Sequence, residues 1–348
     1  MQCKAVFPCS GDQGYVKLAM LSYTISVLLV FSGSAIVWAE GPATAKIAFM
    51  SKRDGNPEIY IMNSDGSDQV NLTQHPAADY HPAWSPNGKH ILFSSDRDGI
   101  FDLYLMDADG TNVRKVFASS KYRWEPTWSP DGKRIAYAQG DPGKAKLQAG
   151  MRFVPYADLT LCVATLNGGS VEKLTDGFMP SWSPDGREIA FVVGGRESTP
   201  LGIFDLQRRS RKILFLKEMP WIFHPSWSPQ GDKIAFTKPD GAAFNEQGFL
   251  SSRKGTIYTV DSNGKELHQI TDEHSSYNPT WSPDGNELIY NARAGVFSQL
   301  FKMDLDGGNP TQLTHDGSNS SPDWFDPTLS VSPSVQLSTT MWGEIKAD

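Results

Sequence analysis

Three cysteines in 348 residues are too few for a disulfide framework to organise the chain. Cys3 and Cys9 fall in an N-terminal segment that reads as removable, and Cys9 does not follow an apolar run as a lipid-modified cysteine would. Cys162 stands alone in a short apolar strand, where it reads as a small buried hydrophobe and not as a reactive thiol. Long helical periodicity is missing, which excludes bundles and repeated α/β units. No run of lysine or arginine occurs, and a formal charge of -7 argues against nucleic acid as a partner, because phosphate binding needs a basic footprint. No Gly-x-Ser-x-Gly elbow occurs either, so a serine-hydrolase domain is not expected.

What the chain does contain is one phrase written six times around a tryptophan. Pro-Ala-Trp84-Ser-Pro-Asn-Gly, Pro-Thr-Trp128-Ser-Pro-Asp-Gly, Pro-Ser-Trp182-Ser-Pro-Asp-Gly, Pro-Ser-Trp227-Ser-Pro-Gln-Gly and Pro-Thr-Trp281-Ser-Pro-Asp-Gly are full copies, and Pro-Asp-Trp324 is a truncated one. The tryptophans recur at intervals of 44, 54, 45, 54 and 43 residues. A period of about 40 to 50 residues built from short strands is the signature of propeller blades.

Each unit continues in the same way. A short apolar run follows the tryptophan phrase, as in Ile135-Ala-Tyr137, then a second run such as Leu103-Tyr-Leu-Met106, an Asp-Gly turn, and a third run ending in Leu-Thr. Runs rich in Ile, Tyr, Phe and Val between Gly, Asp and Asn predict four antiparallel strands, here A (Pro-x-Trp-Ser), B, C and D. The long polar stretch from D to the next A must cross three strand spacings of about 4.8 Å each, which assigns A to the inner edge.

The chain ends fix the count. Trp324 lies on a strand A with no successors, while Ile47-Ala-Phe49, Ile59-Tyr-Ile-Met62 and Val70-Asn-Leu-Thr73 form a B, C, D set with no strand A before it. Joined, they complete a sixth blade, here blade one. The expected fold is therefore all-β: a six-bladed β-propeller of four-stranded antiparallel blades over residues 40–325, closed by pairing the C-terminal strand with the N-terminal strands. A monomer is expected. Residues 326–348 form a tail too short for a domain.

Residues 1–39 read as an export signal: Lys17 precedes an apolar stretch from Leu18 to Val37, and Val37-Trp38-Ala39 offers small residues where a signal peptidase reads. The alternative is a membrane anchor, since the stretch approaches the ~20 residues of a spanning helix. Membrane association is expected only if the segment stays uncleaved, and the location is otherwise periplasmic or secreted.

The phrase Pro-x-Trp-Ser-Pro-Asp-Gly-Lys/Arg-x-Ile-Ala-Phe, continued by Ile-Tyr-x-Met-Asn/Asp-x-Asp-Gly and closed by Leu-Thr, resembles the six-bladed propeller of TolB-like proteins over residues 46 to 325. The likeness is confined to the propeller, since blade one follows residues 1–39 without an intervening α/β domain. The resemblance implies an exported, non-enzymatic protein that binds a protein or peptide partner. The alternative is a carbohydrate-binding or lyase-like propeller, which would use pore-lining His and acidic residues with a divalent ion.

Topology puts the D–A and B–C connections on one face and the A–B and C–D turns on the other. The Asp-Gly turns vary little, whereas the D–A approaches to strand A vary, and five of the six carry an aromatic residue. That contrast nominates Tyr80, His81, Arg123, Trp124, Glu125, Phe178, Met179, Phe223, His224, Tyr277 and Asn278 as a partner-binding ring at the pore mouth. The competing reading packs the aromatics between blades, as expected of Trp84, Trp128, Trp182, Trp227, Trp281 and Trp324. Two B–C insertions, about Gln139 to Asp158 and Lys238 to Gly255, rise on the same face. No cofactor or metal is expected: Asp107-Ala-Asp109-Gly110 opens like a calcium loop but has Ala118 where the twelfth-position Glu belongs, and His81 and His224 belong to opposed blades.

Overall fold

The computed structural model describes residues 40–329 except 149, 167–168, 196–197, 215–218, 220, 241–253, 273–274 and 309. Residues 1–39, read above as an export signal, the tail beyond 329 and most of the second insertion thus lie outside the described residues. Six four-stranded antiparallel sheets make up the fold, each ordered A–B–C–D from one edge to the other. Strands A run over Asn319–Phe325 in blade one, Asp79–Trp84 in two, Tyr122–Trp128 in three, Phe178–Trp182 in four, Phe223–Trp227 in five and Ser276–Trp281 in six. Their residues line the central channel, so A is the inner strand.

The repeated Ser-Pro-Asp-Gly is a turn whose parts are each used. Ser129 Oγ donates to Asp131 at 2.6 Å and accepts from Arg134 N–H at 2.9 Å, Asp131 accepts from Lys133 N–H at 3.1 Å, and Gly132 takes a φ of 68°. The same bonds recur at Ser183 and Asp185 in the next blade. Side-chain carboxylates that close their own turn, with glycine at the left-handed position, explain the motif without a ligand.

Each tryptophan sits in a cluster drawn from two neighbouring blades. Trp182 packs among Ala136, Leu161 and Val163 of blade three and Ile189, Phe191 and Phe204 of its own blade four. Trp84 joins Ala48 and Ile59 to Ile91 and Phe93, and Trp324, half-buried, joins Ile289 and Leu300 of blade six to Ile47 and Tyr60. Trp128 and Trp281 also donate their indole N–H to Ala83 O and Ser226 O of the preceding strand A, at 3.1 and 2.9 Å. A large ring is needed because blades diverge outward from the axis and small side chains leave the wedge unfilled.

Blade one closes the ring as the repeat arithmetic predicts. Lys46–Ser51 pairs with Asn319–Phe325, placing Ile47 opposite Trp324 and Lys46 opposite Phe325. Phe325 packs against Trp84, 5.6 Å between ring centres, and Asp323 accepts Trp84 N–H at 2.6 Å. Arg53 adds a third tie: its guanidinium bonds Ser51 Oγ at 2.9 Å and Asn319 Oδ1 at 3.3 Å while lying 4.7 Å from the Tyr60 ring centre. Blade two repeats this device with Ser95, Arg97, Asp79 and Tyr104. The sequence carries its sign, Ser-x-Arg-Asp-Gly at 51–55 and again at 95–99.

Two outcomes follow. Trp182→Ala is expected to destabilise the protein by about 3 to 5 kcal/mol, the range for truncating a buried aromatic, as read from urea unfolding. Deleting residues 315–348 removes the inner strand of blade one and uncovers Ile47, Phe49 and Tyr60. Sedimentation and thermal melts should then show self-association and a lowered melting temperature. An unchanged monomer of equal stability would contradict this account of the seam.

Candidate functional site

Strand A has a neighbour only on its outer side, and this lets a proline stand in it at no cost in paired hydrogen bonds. Each strand A breaks register there: the pairing with strand B shifts between Tyr80 and Ala83, Trp124 and Thr127, Phe178 and Ser181, Phe223 and Ser226, and Tyr277 and Thr280. The residue before each proline is left-handed: His81, Glu125, Met179, His224, Asn278 and Ser321 have φ between 50° and 54°. Non-glycine residues seldom adopt this conformation, least of all before proline. Six repeats of it make a bulge that turns one variable side chain per blade toward the axis.

These six residues, the prolines after them and the next residues, Ala83, Thr127, Ser181, Ser226, Thr280 and Asp323, line a channel of about 170 Å³. The bulge frees backbone N–H groups from the ladder, and side chains of the preceding blade take them up. Ser94 Oγ accepts from Glu125 N–H at 3.3 Å, Glu125 Oε2 from Met179 N–H at 3.1 Å, and Met179 Sδ from His224 N–H at 3.2 Å. Thr237 Oγ1 accepts from Asn278 N–H at 3.2 Å, and the Asn278 amide donates to Ser321 Oγ at 3.1 Å.

The ring shifts its own titrations. Burial pushes the Glu125 carboxyl up to about 8, against the bonds it accepts from Met179 N–H and Trp124. Burial holds both His81 and His224 down at about 3, and for His224 the charge of His81 adds to it. Asp323 is raised to about 6 by burial, against its bond from Trp84 N–H. The channel is therefore lined at neutral pH by two uncharged imidazoles, a protonated Glu125 and an ionised Asp323. Asp323 was not nominated from sequence, although it is the one charged residue at a position that otherwise reads Ala, Thr, Ser, Ser, Thr.

The structure divides the eleven nominated residues. His81, Glu125, Met179, His224 and Asn278 are brought together in the channel ring. The aromatics Tyr80, Trp124, Phe178 and Phe223 are instead buried, at 9%, 6%, 0% and 2% exposure, in a cluster on the same face with Phe101 and Tyr122, and so offer a partner almost no surface. The first insertion covers them. Its Lys146–Gln148 and Met151–Phe153 form a hairpin, Phe153 meets Trp124 edge-on at 5.5 Å, and Tyr156 stacks on Phe178 at 4.4 Å between ring centres. Tyr156 also reaches Phe223 of blade five at 5.9 Å. Arg123 is likewise withdrawn: 2% exposed, it donates to Asp102 at 2.7 Å and Ser119 O at 3.0 Å and lies 3.9 Å from the Phe117 ring centre. Tyr277 remains half-buried.

Apolar surface on this face lies elsewhere. Leu147 on the insertion hairpin is 72% exposed, and Val296 and Phe297, at the B–C hairpin of blade six, are 79% and 48% exposed. The sequence sign was an apolar pair after glycine in a tight turn, where polar residues are usual. Among the described residues no group of three or more His, Cys, Asp or Glu is placed to hold a metal ion. Cys162 is fully buried, its thiol pushed up to about 11.

Residues 15–153 and 155–330 match the family model described as the TolB beta propeller domain. Short stretches are similar to the Tol-Pal system protein TolB of Geobacter sulfurreducens, 45% identical over 51 residues, or 15% of this chain and 12% of that one. The same protein of Syntrophotalea carbinolica is 35% identical over 57 residues, 16% of this chain and 13% of that one. The chain thus matches only a small part of the length of these curated relatives. The crystal structure of TolB from Acinetobacter baumannii superposes with a TM-score of 0.64 at 20% identity, covering 80% of this chain and 66% of that one, a likeness of fold.

A pH test isolates Glu125. Its folded pKa of about 8 lies above the ordinary 4.5, so the folded form keeps a proton the unfolded chain releases, and stability falls as pH rises across that interval. Asp323 acts in the same sense only between 3.8 and about 6, and the two histidines in the opposite sense between about 3 and 6.5. Raising the pH from 6.5 to 8 should therefore cost up to about 1.4 kcal/mol per unit, measured by urea unfolding at each pH. Glu125→Gln should abolish that slope.

Proposed function

Since the chain belongs to the TolB β-propeller family, we propose that it is a non-enzymatic binding protein that takes a protein or peptide partner on its loop face and at the channel mouth. The observation that carries this reading is the contrast within strand A. The frame of left-handed bulge, proline and tryptophan repeats in every blade, yet the side chain it presents to the channel differs: His, Glu, Met, His, Asn, Ser. A scaffold that holds six positions alike and varies what stands on them is organised for recognition. Leu147, Val296 and Phe297 add exposed apolar surface to the same face, on B–C hairpins of blades three and six. Exposed apolar side chains standing on paired hairpin strands are suited to act as contact anchors.

The proposed location is periplasmic or secreted, the compartment implied by an export signal and by a family of exported propellers. A carbohydrate-active reading is less well supported, since it calls for a cluster of metal ligands that the described residues do not form.

The test uses the exported protein as bait with a crosslinker, followed by titration of the purified partner. Replacing Leu147, Val296 and Phe297 together by serine should weaken binding by about 2 kcal/mol or more without lowering the melting temperature. Asp109→Asn with Asp306→Asn, on the opposite face, should leave affinity unchanged. A loss confined to the Asp109/Asp306 variant would move the functional side to the turn face. Trp124→Ala and Phe223→Ala are expected to lower stability, because both side chains are interior.

A further inference from the structure

We propose that the channel is a receptor for a primary ammonium group, with the Glu125 carboxylate as its counter-ion. The inference rests on the binding-protein reading and adds the chemistry of what enters. Glu125 is 7% exposed, stands in the wall of the channel and has no cation beside it: none of the channel-lining residues is a lysine or arginine. Buried carboxyl groups are ordinarily paired, and one left without a counter-charge in a cavity is a place where a cation is stabilised on entry.

The other groups facing the channel are acceptors of the right kind. His224 carries a buried Nδ1 with no partner, and the imidazoles of His81 and His224, both held neutral by burial, add nitrogen lone pairs without opposing charge. Asn278 and Ser321 supply oxygens on the far side of the ring. A tetrahedral ammonium has three donors to distribute among such acceptors, whereas a guanidinium wants a carboxylate edge for its fork. Here Oε2 is already occupied by Met179 N–H. A volume of about 170 Å³ suits an alkylammonium chain better than a folded ligand.

The group arrives either on a lysine side chain or chain terminus of the partner, or as a free amine. Entry requires Glu125 to ionise. The groups that face it are His81 of blade two, Tyr122 on its own strand, Tyr156 of the insertion and His224 of blade five, with Asp323 in the same channel. None of them is a cation at neutral pH, and Asp323, raised only to about 6, is then itself a carboxylate that favours a cation in the channel. A carboxyl protonated at pH 7 must lose its proton to solvent as the ammonium binds, so binding and proton release are coupled.

Calorimetric titration of the whole protein at pH 7, in two buffers of different ionisation enthalpy, tests this with n-butylamine and Nα-acetyl-lysine amide, against 1-butanol and Nα,Nε-diacetyl-lysine amide. Both amines should bind with release of close to one proton, and the neutral isosteres should not bind. Affinity should fall about tenfold for each pH unit below 7, and Glu125→Gln should lose tenfold or more and release no proton. Binding of the lysine amide alone would assign the site to a partner's side chain, and binding of butylamine alone to a free amine. Equal binding of 1-butanol and butylamine, no binding of either amine, or affinity and proton release unchanged in Glu125→Gln would each overturn the proposal. Because these probes need no protein partner, their failure leaves the capture experiment on the loop face unaffected.

Discussion

The tryptophan wedge is the constraint on which the disc depends. Six sheets can surround an axis only if something fills the gap that opens between neighbours as they splay, and in this chain one indole per junction does so, backed by Ile, Leu and Phe from both sheets. The repeat interval follows from it, because each blade must present the same ring at the same depth. The two long intervals are accommodated by lengthening B–C connections, which lie outside the wedge.

Ring closure adds a second requirement, that the ends of the chain behave as one blade. Here the pairing of Lys46–Ser51 with Asn319–Phe325 is reinforced across it by Arg53 to Asn319, and the same C-terminal strand is tied to blade two by Asp323 at the Trp84 backbone N–H and Phe325 at the Trp84 ring. The Asp323 carboxyl is deep in the channel and protonates near pH 6, so the tie at Trp84 changes charge state within an ordinary pH range while the strand pairing beside it does not.

The architecture was legible because it is written as periodicity. Pro-x-Trp, the Asp-Gly turns and the split blade at the termini depend on local chemistry repeated six times, and they lead to strand order and inner edge without any long-range information. The site was less legible, for a physical reason: a residue's type says what it can bond to but not whether another segment lies on top of it. Trp124, Phe178 and Phe223 have the composition of a binding rim, and the insertion carrying Phe153 and Tyr156 turns that rim into an interior. Arg123 looked like a surface cation until its partner Asp102, twenty-one residues earlier on strand C of the neighbouring blade, placed it inside. The left-handed bulge left no direct trace either, since residues before proline ordinarily avoid that conformation.

The hydrogen bonds around the channel have a direction. Glu125 serves the backbone of Met179, Met179 serves that of His224, and Ser94 and Thr237 serve Glu125 and Asn278 in the same sense, each blade holding the one after it in the chain. The bonds that take up the freed N–H groups of the bulges thus run one way around the channel and give it a handedness of its own. Whatever displaces the Glu125 side chain unsettles the backbone at Met179 first, and through its sulfur that at His224, while blade two upstream keeps its geometry. An occupant of the channel would accordingly be sensed on one side of itself, turning a symmetric ring into an oriented one.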